Sequence, residues 1–409
     1  MEGVSSALPE DARQALRGLG RADLLIGIPS YQNGRTIRHV VESAAHGARR
    51  AFPGLRTVIL NADGGSTDGT PQATLNARVP AGTIVLSTRY EGLSGKGSAV
   101  RAVLEAAVLL GARACATLDA DLRSIAPWWV ERLLGPVVRG EADYVVPYYV
   151  RHQYDGTITN HLAYPMTRAL YGVRIRQPIG GDFAFSGAFA ARALQAPGWG
   201  GDVARFGIDL WMTTVALNEG YRVVQASLGT KVHDPRDPAV HLGPMFRQVV
   251  GTLFSLMETY ADRWRRIRNS VPAPLVGEPV EAEPEPVSVD RAALVEGFRG
   301  GFVRFAGVWR EVLEPGTFAA LASMAARPDG PDLPGPLWAR ICYAFAGAFR
   351  GRRAGELLEA MVPLYFGRVA AFVRETETMT ARQAEAVVER QAEAFESEKP
   401  YLLEVWDRR

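Results

Sequence analysis

Two aspartates one residue apart, Asp119 and Asp121, follow the short apolar run Ala114 to Leu118. That run reads as a buried strand, so Asp119-Ala120-Asp121 stands at a strand end. Two carboxylates this close beyond a buried strand are costly unless positive charge sits between them. A divalent cation is the simplest source of that charge, and hard oxygen ligands suit magnesium or manganese. The plainer alternative is that one acid caps the helix that Pro127 begins while the other faces water.

Other residues with chemical potential lie at similar places. Asp63-Gly64-Gly65-Ser66-Thr67-Asp68-Gly69-Thr70 follows a second apolar run. Asp63 there could accept from a base or ribose, and Ser66 or Asp68 could cap the next helix. Gly95-Lys96-Gly97 precedes the most regular helix of this half. Small residues admit a close backbone, the helix start favours an anion, and Lys96 adds a charge, so a diphosphate suits the site. His233 lies in the polar stretch Thr230 to Pro235, and a neutral imidazole is a common metal ligand. The first strand ends Gly27-Ile28-Pro29-Ser30-Tyr31, without Gly-x-Gly-x-x-Gly, which argues against a dinucleotide-binding dehydrogenase.

The elements that must position these residues alternate. Strands are expected at Leu24–Ile28, Arg56–Leu60, Thr83–Leu86, Ala114–Leu118, Tyr144–Val146 and Arg222–Ala226. Helices are expected at Gly34–Arg50, after Ser66 or Asp68, at Gly97–Leu110 and at Pro127–Val138. In the third of these, Val100, Val103, Leu104, Ala107 and Val108 form one apolar face. The alternation argues for a mostly parallel sheet covered on both faces, with ligands bound beyond the carboxyl ends of its strands. A further helix is expected at Pro244–Arg268. Residues 270–288, rich in Pro and Glu, read as an extended, poorly packed connection. From Val289 the pattern is helical, as in Arg291–Leu313, Leu337–Phe349 and Thr380–Glu396.

Of 409 residues, 47% are hydrophobic and 22% charged, with 46 bases against 44 acids. That balance sets up no field favouring nucleic acid or a membrane surface. Cys115 and Cys342 are far apart and lack metal-ligand spacing, so buried thiols in a reducing compartment are expected. The polar first 20 residues and the lack of a long apolar run point to a cytoplasmic protein.

Taken in order, the Pro29-Ser30 strand end, the Asp63 to Thr70 loop, Gly95-Lys96-Gly97 and Leu118-Asp119-Ala120-Asp121 resemble the GT-A glycosyltransferases. Asp119 through Pro127-Trp128-Trp129, Arg151 with Asp155 and Thr159, Gln177 to Asp182, Gly207-Ile208-Asp209 and His233 are similar to the retaining mannosylglycerate synthases. The glucosyl-3-phosphoglycerate synthases are close relatives sharing much of this.

The resemblance implies an α/β, GT-A (nucleotide-diphospho-sugar transferase) fold over 23–269, between an N-terminal extension (1–22) and the 270–288 connection. A helical C-terminal region, 289–409, follows and offers a surface for a homodimer. It implies a metal-dependent enzyme moving mannose or glucose from a nucleotide-diphospho-sugar to the 2-hydroxyl of D-glycerate or a similar hydroxy acid. Pro29, Ser30, Asp63, Lys96, Asp119, Ala120, Asp121, Gly180, Gly181 and Asp182 would meet the donor. Asp121 and His233, with Asp119 beside them, would hold magnesium or manganese. Arg151, Asp155, Thr157 and Thr159 would meet the acceptor, and Asp209 and Lys96 would serve catalysis.

This chain has Gly64 where the glycosyltransferase signature carries a second acid. It also has Gly156-Thr157-Ile158-Thr159 where the phosphoglycerate users have Gly-Arg-Val-Thr. The missing arginine favours an unphosphorylated acceptor, with phosphoglycerate as the alternative. A nucleotidyltransferase would need a Gly-rich, Arg-containing first loop, which is absent. A non-catalytic nucleotide-sugar-binding protein is the remaining alternative.

Overall fold

Eight strands form one sheet: β1 (Leu24–Ser30), β2 (Thr57–Asp63), β3 (Ile84–Arg89), β4 (Ala114–Thr117), β5 (Tyr144–Val150), β6 (Phe183–Ser186), β7 (Val223–Thr230) and β8 (Leu275–Val276). Their spatial order is β8-β7-β5-β6-β4-β1-β2-β3. All neighbours run parallel except β6, which is antiparallel to both β4 and β5. The computed structural model describes residues 5–233, 238–280, 282–351 and 355–408; Asp234 and Pro235 of the polar stretch lie outside them.

The chain packs as two units. The first comprises Met1–Val150, Gln177–Arg236 and Ala273–Ala282 and holds the whole sheet. Its core lies between β1, β4 and the helices Ile37–Ala51 and Pro127–Val138, with Leu24, Ile26, Val41, Trp129, Leu133 and Leu134 sealed from solvent. The helix Lys96–Leu109 buries Val100, Val103, Leu104 and Ala107, but Val108 is 46% exposed, so its apolar stripe is narrower than expected.

The second unit comprises Arg151–Arg176, Asp237–Pro272 and Glu283–Arg409. Among its described residues are the helices Tyr164–Tyr171, Arg291–Val312, Gly335–Phe349, Gly355–Thr376 and Ala381–Ser397. One turn of π-helix, Thr159–Ala163, leads into the first. No helix among the described residues is long and apolar enough to cross a membrane.

These units differ from the contiguous division at 22, 269 and 289. The first residues are no appendage: Ala7, Leu8 and Leu16 are buried, and the Glu105 carboxylate accepts from Ser6 Oγ (2.5 Å) and the Ala7 amide (3.1 Å). Residues 151–176 pack with the C-terminal helices because buried partners lie far along the chain, as His161 does beside Phe372. Nor is 270–288 wholly unpacked, since β8 extends the sheet beside β7. Instead of one helix over Pro244–Arg268, the chain forms Pro238–Thr259 and then the short Ala261–Trp264. β6 lies next to a segment read as turn-rich; being only four residues long and almost wholly buried, it shows no alternation to betray it.

Candidate functional site

Parallel strands point their carboxyl ends to one edge of the sheet, and an antiparallel strand begins at that edge. Asp119 and Asp121 follow β4, Lys231 and His233 follow β7, and Asp182 immediately precedes β6. The topology therefore delivers all five to one side of the first unit.

There Asp119, Asp182 and Lys231 meet Lys96 and Asp209 in a largely buried ionic network. Lys96 Nζ lies 2.8 Å from Asp119 Oδ1 and 3.2 Å from Asp209 Oδ2. Lys231 Nζ lies 2.7 Å from Asp119 Oδ2 and 2.9 Å from Asp182 Oδ2, and donates to the Gly180 carbonyl at 2.9 Å. Asp182 also accepts the Tyr149 hydroxyl on Oδ2 and the Asp119 amide on Oδ1 (2.8 Å). The backbone passes close enough that only glycine serves at 181. Its φ is +90°, and a Cβ there would stand 2.2 Å from Asp119 Oδ2.

Two ammonium groups face three carboxylates. Burial would raise the Asp119 pKa, but Lys231 and Lys96 outweigh it and hold the group well below the usual range. Burial pushes Asp209 and Asp182 up instead, and the charge of Asp119 adds to both shifts against the pull of the lysines. Burial works against the Lys96 ammonium, yet Asp119 and Asp209 raise its pKa, so it stays charged. Counted over the described residues, the network is one positive charge short of neutrality, and excess charge in a largely buried site is expensive.

Asp121 and His233 are brought together by a second device. The segment after Asp121 runs antiparallel to the one after β7, bridged at Leu122 and His233. Arg123 N donates to Val232 O at 2.8 Å, and Val232 N donates to Ser124 Oγ at 2.9 Å. Asp121 is buried on this bridge. Among the described residues no three His, Cys, Asp or Glu side chains form a ready metal cage. Each oxygen of Asp119, the acid expected beside them, already meets an ammonium.

Residues 25–194 match the family model described as glycosyl transferase family 2. They form a family 2 glycosyltransferase domain. The chain is a hexosyltransferase, and the sheet with its ligand edge is the GT-A arrangement expected from the sequence. Among curated relatives, the glucosyl-3-phosphoglycerate synthase of Mycolicibacterium paratuberculosis is 28% identical over 256 residues, covering 56% of this chain and 70% of that one. The enzyme of the same name from Mycobacterium tuberculosis is 27% identical, covering 56% and 71%. A crystal structure of glucosyl-3-phosphoglycerate synthase from Mycobacterium tuberculosis, in complex with Mn2+, UDP and glucosyl-3-phosphoglycerate, is 22% identical with a TM-score of 0.46. It covers 62% of this chain and 85% of that one. By name these relatives use phosphoglycerate, against the expectation of an unphosphorylated acceptor.

Within the glycosyltransferase domain the residues expected at the donor already have partners of their own. Asp63 is taken up by its own turn: Oδ2 accepts the amides of Gly65 (2.8 Å) and Ser66 (2.7 Å), and Oδ1 meets Ser66 Oγ (2.6 Å) and Ser30 Oγ (3.1 Å). Ser30, facing Asp63 across β1 and β2, also bonds Asn61. Pro29 lies on β1 beside Ala62, and the Ala120 carbonyl accepts from Thr36 Oγ1 at 2.8 Å. The cap of the helix Thr70–Leu75 is Gly69, with the Asp68 carboxylate accepting the Thr70 amide at 3.1 Å. Gly64, the missing acid, sits where a Cβ would touch Tyr31 and Tyr90 at 3.2 and 3.3 Å.

The start of helix Lys96–Leu109 is not an open anion cradle. The Gly97 amide donates to Arg205 O (3.1 Å) and the Ser98 amide to Ala204 O (3.0 Å). A Cβ at Gly97 would lie 1.8 Å from Val203 O, so its small size serves this backbone contact. Lys96 itself points at Asp119 and Asp209.

In the second unit, Arg151 Nε bonds Asp155 Oδ2 at 2.8 Å. A Cβ on Gly156 would come within 2.8 Å of Arg151 Nη1 and 3.7 Å of Thr159 Oγ1, so Arg151, Asp155 and Thr159 gather round that glycine. Thr157 does not join them; its buried hydroxyl lies 2.6 Å from Tyr365 OH. Sequence reasoning missed Lys231 and Tyr149. Lys231 and His233 repeat the i, i+2 spacing of Asp119 and Asp121 on a paired segment, and that doublet was the available signal.

Proposed function

We propose that the enzyme transfers glucose from a nucleoside diphosphate sugar, with retention, to the 2-hydroxyl of a three-carbon hydroxy acid, 3-phosphoglycerate first among them. The names of the curated relatives support the donor sugar and the acceptor. The observation that carries the chemistry is the Lys96–Asp119–Lys231 network at the ligand edge of a family 2 domain.

The residues suit a divalent cation. Asp121 and His233 would hold magnesium or manganese, which keeps few protein ligands and takes the rest from phosphate and water. The negative excess of the network favours such an ion. When bound, it would supply a Lewis acid for the diphosphate leaving group. Lys96, kept ionised by Asp119 and Asp209, supplies fixed positive charge against the charge that develops on that group. Asp209 is anchored by Lys96 and raised by burial, which suits a group that steadies the reacting centre rather than a strong base. Gly180, Gly181 and Asp182 border the sugar through backbone, with Lys231 holding that loop to Asp119. Arg151 and Thr159 bind the acceptor carboxylate, with Asp155 near its hydroxyls.

A second reading keeps unphosphorylated glycerate as acceptor. Thr157, where the phosphoglycerate users have arginine, is turned to Tyr365 and brings no cation. A matrix of UDP-glucose, GDP-glucose and GDP-mannose against 3-phosphoglycerate and glycerate, with Mg2+ or Mn2+, separates the two. The expected result is an α-linked product, identified by NMR, with kcat/KM highest for UDP-glucose and 3-phosphoglycerate. A preference for glycerate selects the second reading, and no hexosyl transfer to either acid overturns both.

A further inference from the structure

The second unit holds a cavity of about 510 Å³ at the start of the helix Gly335–Phe349, and no role assigned above uses it. Three arginines line it: Arg368 and Arg374 from the helix Gly355–Thr376, and Arg390 from the helix Ala381–Ser397. Two acids answer them. Arg374 pairs with Asp332 at 2.8 Å, while Glu375 stands 3.8 Å from Arg368 and 3.7 Å from Arg390. Those last two contacts are beyond hydrogen-bond length, so Glu375 is a loose partner shared by two guanidinium groups. Among the described residues the cavity lining carries one positive charge in excess.

Arg368 is 2% exposed. Its Nε donates to Gln391 Oε1 at 2.6 Å and its Nη1 to Leu333 O at 2.9 Å, which fixes the plane of the group. Burial lowers its pKa, as expected of a cation with incomplete compensation. The first turn of Gly335–Phe349 borders the same space and adds the positive end of a fifteen-residue helix. A volume of this order accommodates a small metabolite.

We propose that this cavity binds a small phosphate-bearing ligand. Three guanidinium groups from two helices offer more donors, in more directions, than Asp332 and the loosely placed Glu375 accept. A phosphoryl group has the oxygens to meet them. The site is wired to the turn that carries Thr159. Gln391, whose Oε1 accepts from Arg368, donates through Nε2 to Asn160 O at 2.8 Å and lies 3.2 Å from His161 Nδ1. Trp338, on the helix bordering the cavity, donates to His161 O at 2.6 Å. An occupied cavity therefore stiffens residues 156–163.

Inorganic phosphate is the probe, titrated into the full chain against chloride at matched ionic strength. The wild type is expected to gain about 3 °C in Tm at saturating phosphate. Hydrogen exchange over residues 156–163 should slow several-fold. Arg374→Ala and Arg390→Ala truncate side chains that are 35% and 61% exposed, so the fold should survive. Both should lose the Tm gain and the slowed exchange. No shift in the wild type, or the same shift in both variants, overturns the site. Slowed exchange elsewhere, with 156–163 unchanged, overturns the wiring. Each readout is independent of hexosyl transfer, so a failure here leaves the catalytic reading standing.

Discussion

Each unit holds an ionic cluster, the first largely buried and the second buried only at Arg368, and among the described residues the two are opposite in sign. In the first, Lys96 and Lys231 face Asp119, Asp182 and Asp209, an excess of one negative charge. In the second, Arg368, Arg374 and Arg390 face Asp332 and Glu375, an excess of one positive charge. The first uses compact ammonium points that bridge carboxylates at 2.7–3.2 Å. The second uses planar forks whose contacts with Glu375 are looser. Buried ion clusters gain little stability from their own pairing once desolvation is counted. An unbalanced one is more readily understood as shaped for a charge it lacks: a cation in one case and an anion in the other.

The contrast can be broken most forcefully at Asp119. Asp119→Asn removes the carboxylate that bridges the two ammonium groups at 2.7–2.8 Å and leaves Lys96 only Asp209 and Lys231 only Asp182 among the carboxylates of the network. Stability should fall by about 3–5 kcal/mol in urea melts, and kcat by a factor of about 10²–10³. A variant with near wild-type kcat would remove Asp119 from the catalytic network. Lys231→Met, at the position sequence reasoning passed over, should cost about 3 kcal/mol by taking the ammonium from Asp182 and one of two from Asp119. If its melt matched wild type, the network would be ornamental. Gly181→Ala combines a left-handed φ with a clash at Asp119 and should cost about 2 kcal/mol, with kcat falling alongside.

Acid should separate the two clusters by slope. His161, buried and beside Arg368, has its pKa held well below the ordinary 6.5. The unfolded chain therefore takes up a proton there that the folded unit refuses. Its contribution is complete above pH 6.5 and is lost as pH falls below that value. Asp209 is shifted the other way, above the ordinary 3.8, so the folded form binds the proton first and gains stability as pH falls through its raised pKa. Hydrogen exchange from pH 7 to 5 should show the second unit loosening first, and His161→Gln should flatten that trend. Parallel loss in both units would refute the contrast. The smallest effect is expected from Thr157→Val, about 1 kcal/mol for the lost Tyr365 bond, with an unchanged acceptor KM. A large rise in KM would return Thr157 to the acceptor site.

The sequence disclosed what repeats or alternates. Pro127–Val138 matches its helix end to end, and most parallel strands were found with their starts within one residue. Asp121, His233, Lys96 and Asp209 were singled out because their loops follow strands or precede helices. What stayed hidden depends on partners far along the chain. The four short contacts of Asp63 within its turn and to Ser30 could not be read from its loop. Gly95-Lys96-Gly97 looks like a phosphate cradle until the carbonyls of Ala204 and Arg205 take its amides. Lys231 offers only its doublet with His233, and its partner Asp182 arrives with the antiparallel β6.

That strand also sets a timetable for synthesis. β4 and β5 are made early but do not touch; each pairs with β6, which is delivered later. Until Ser186 has left the ribosome, the sheet should exist as two parts with open edges, and Lys231 comes later still. Non-local closure of this kind slows folding and leaves strand edges exposed in the interval. Nascent chains halted before residue 183 should therefore be cut by protease between β4 and β5, and chains extended past residue 240 should resist. Equal resistance at both lengths would show that the halves close without the strand that joins them.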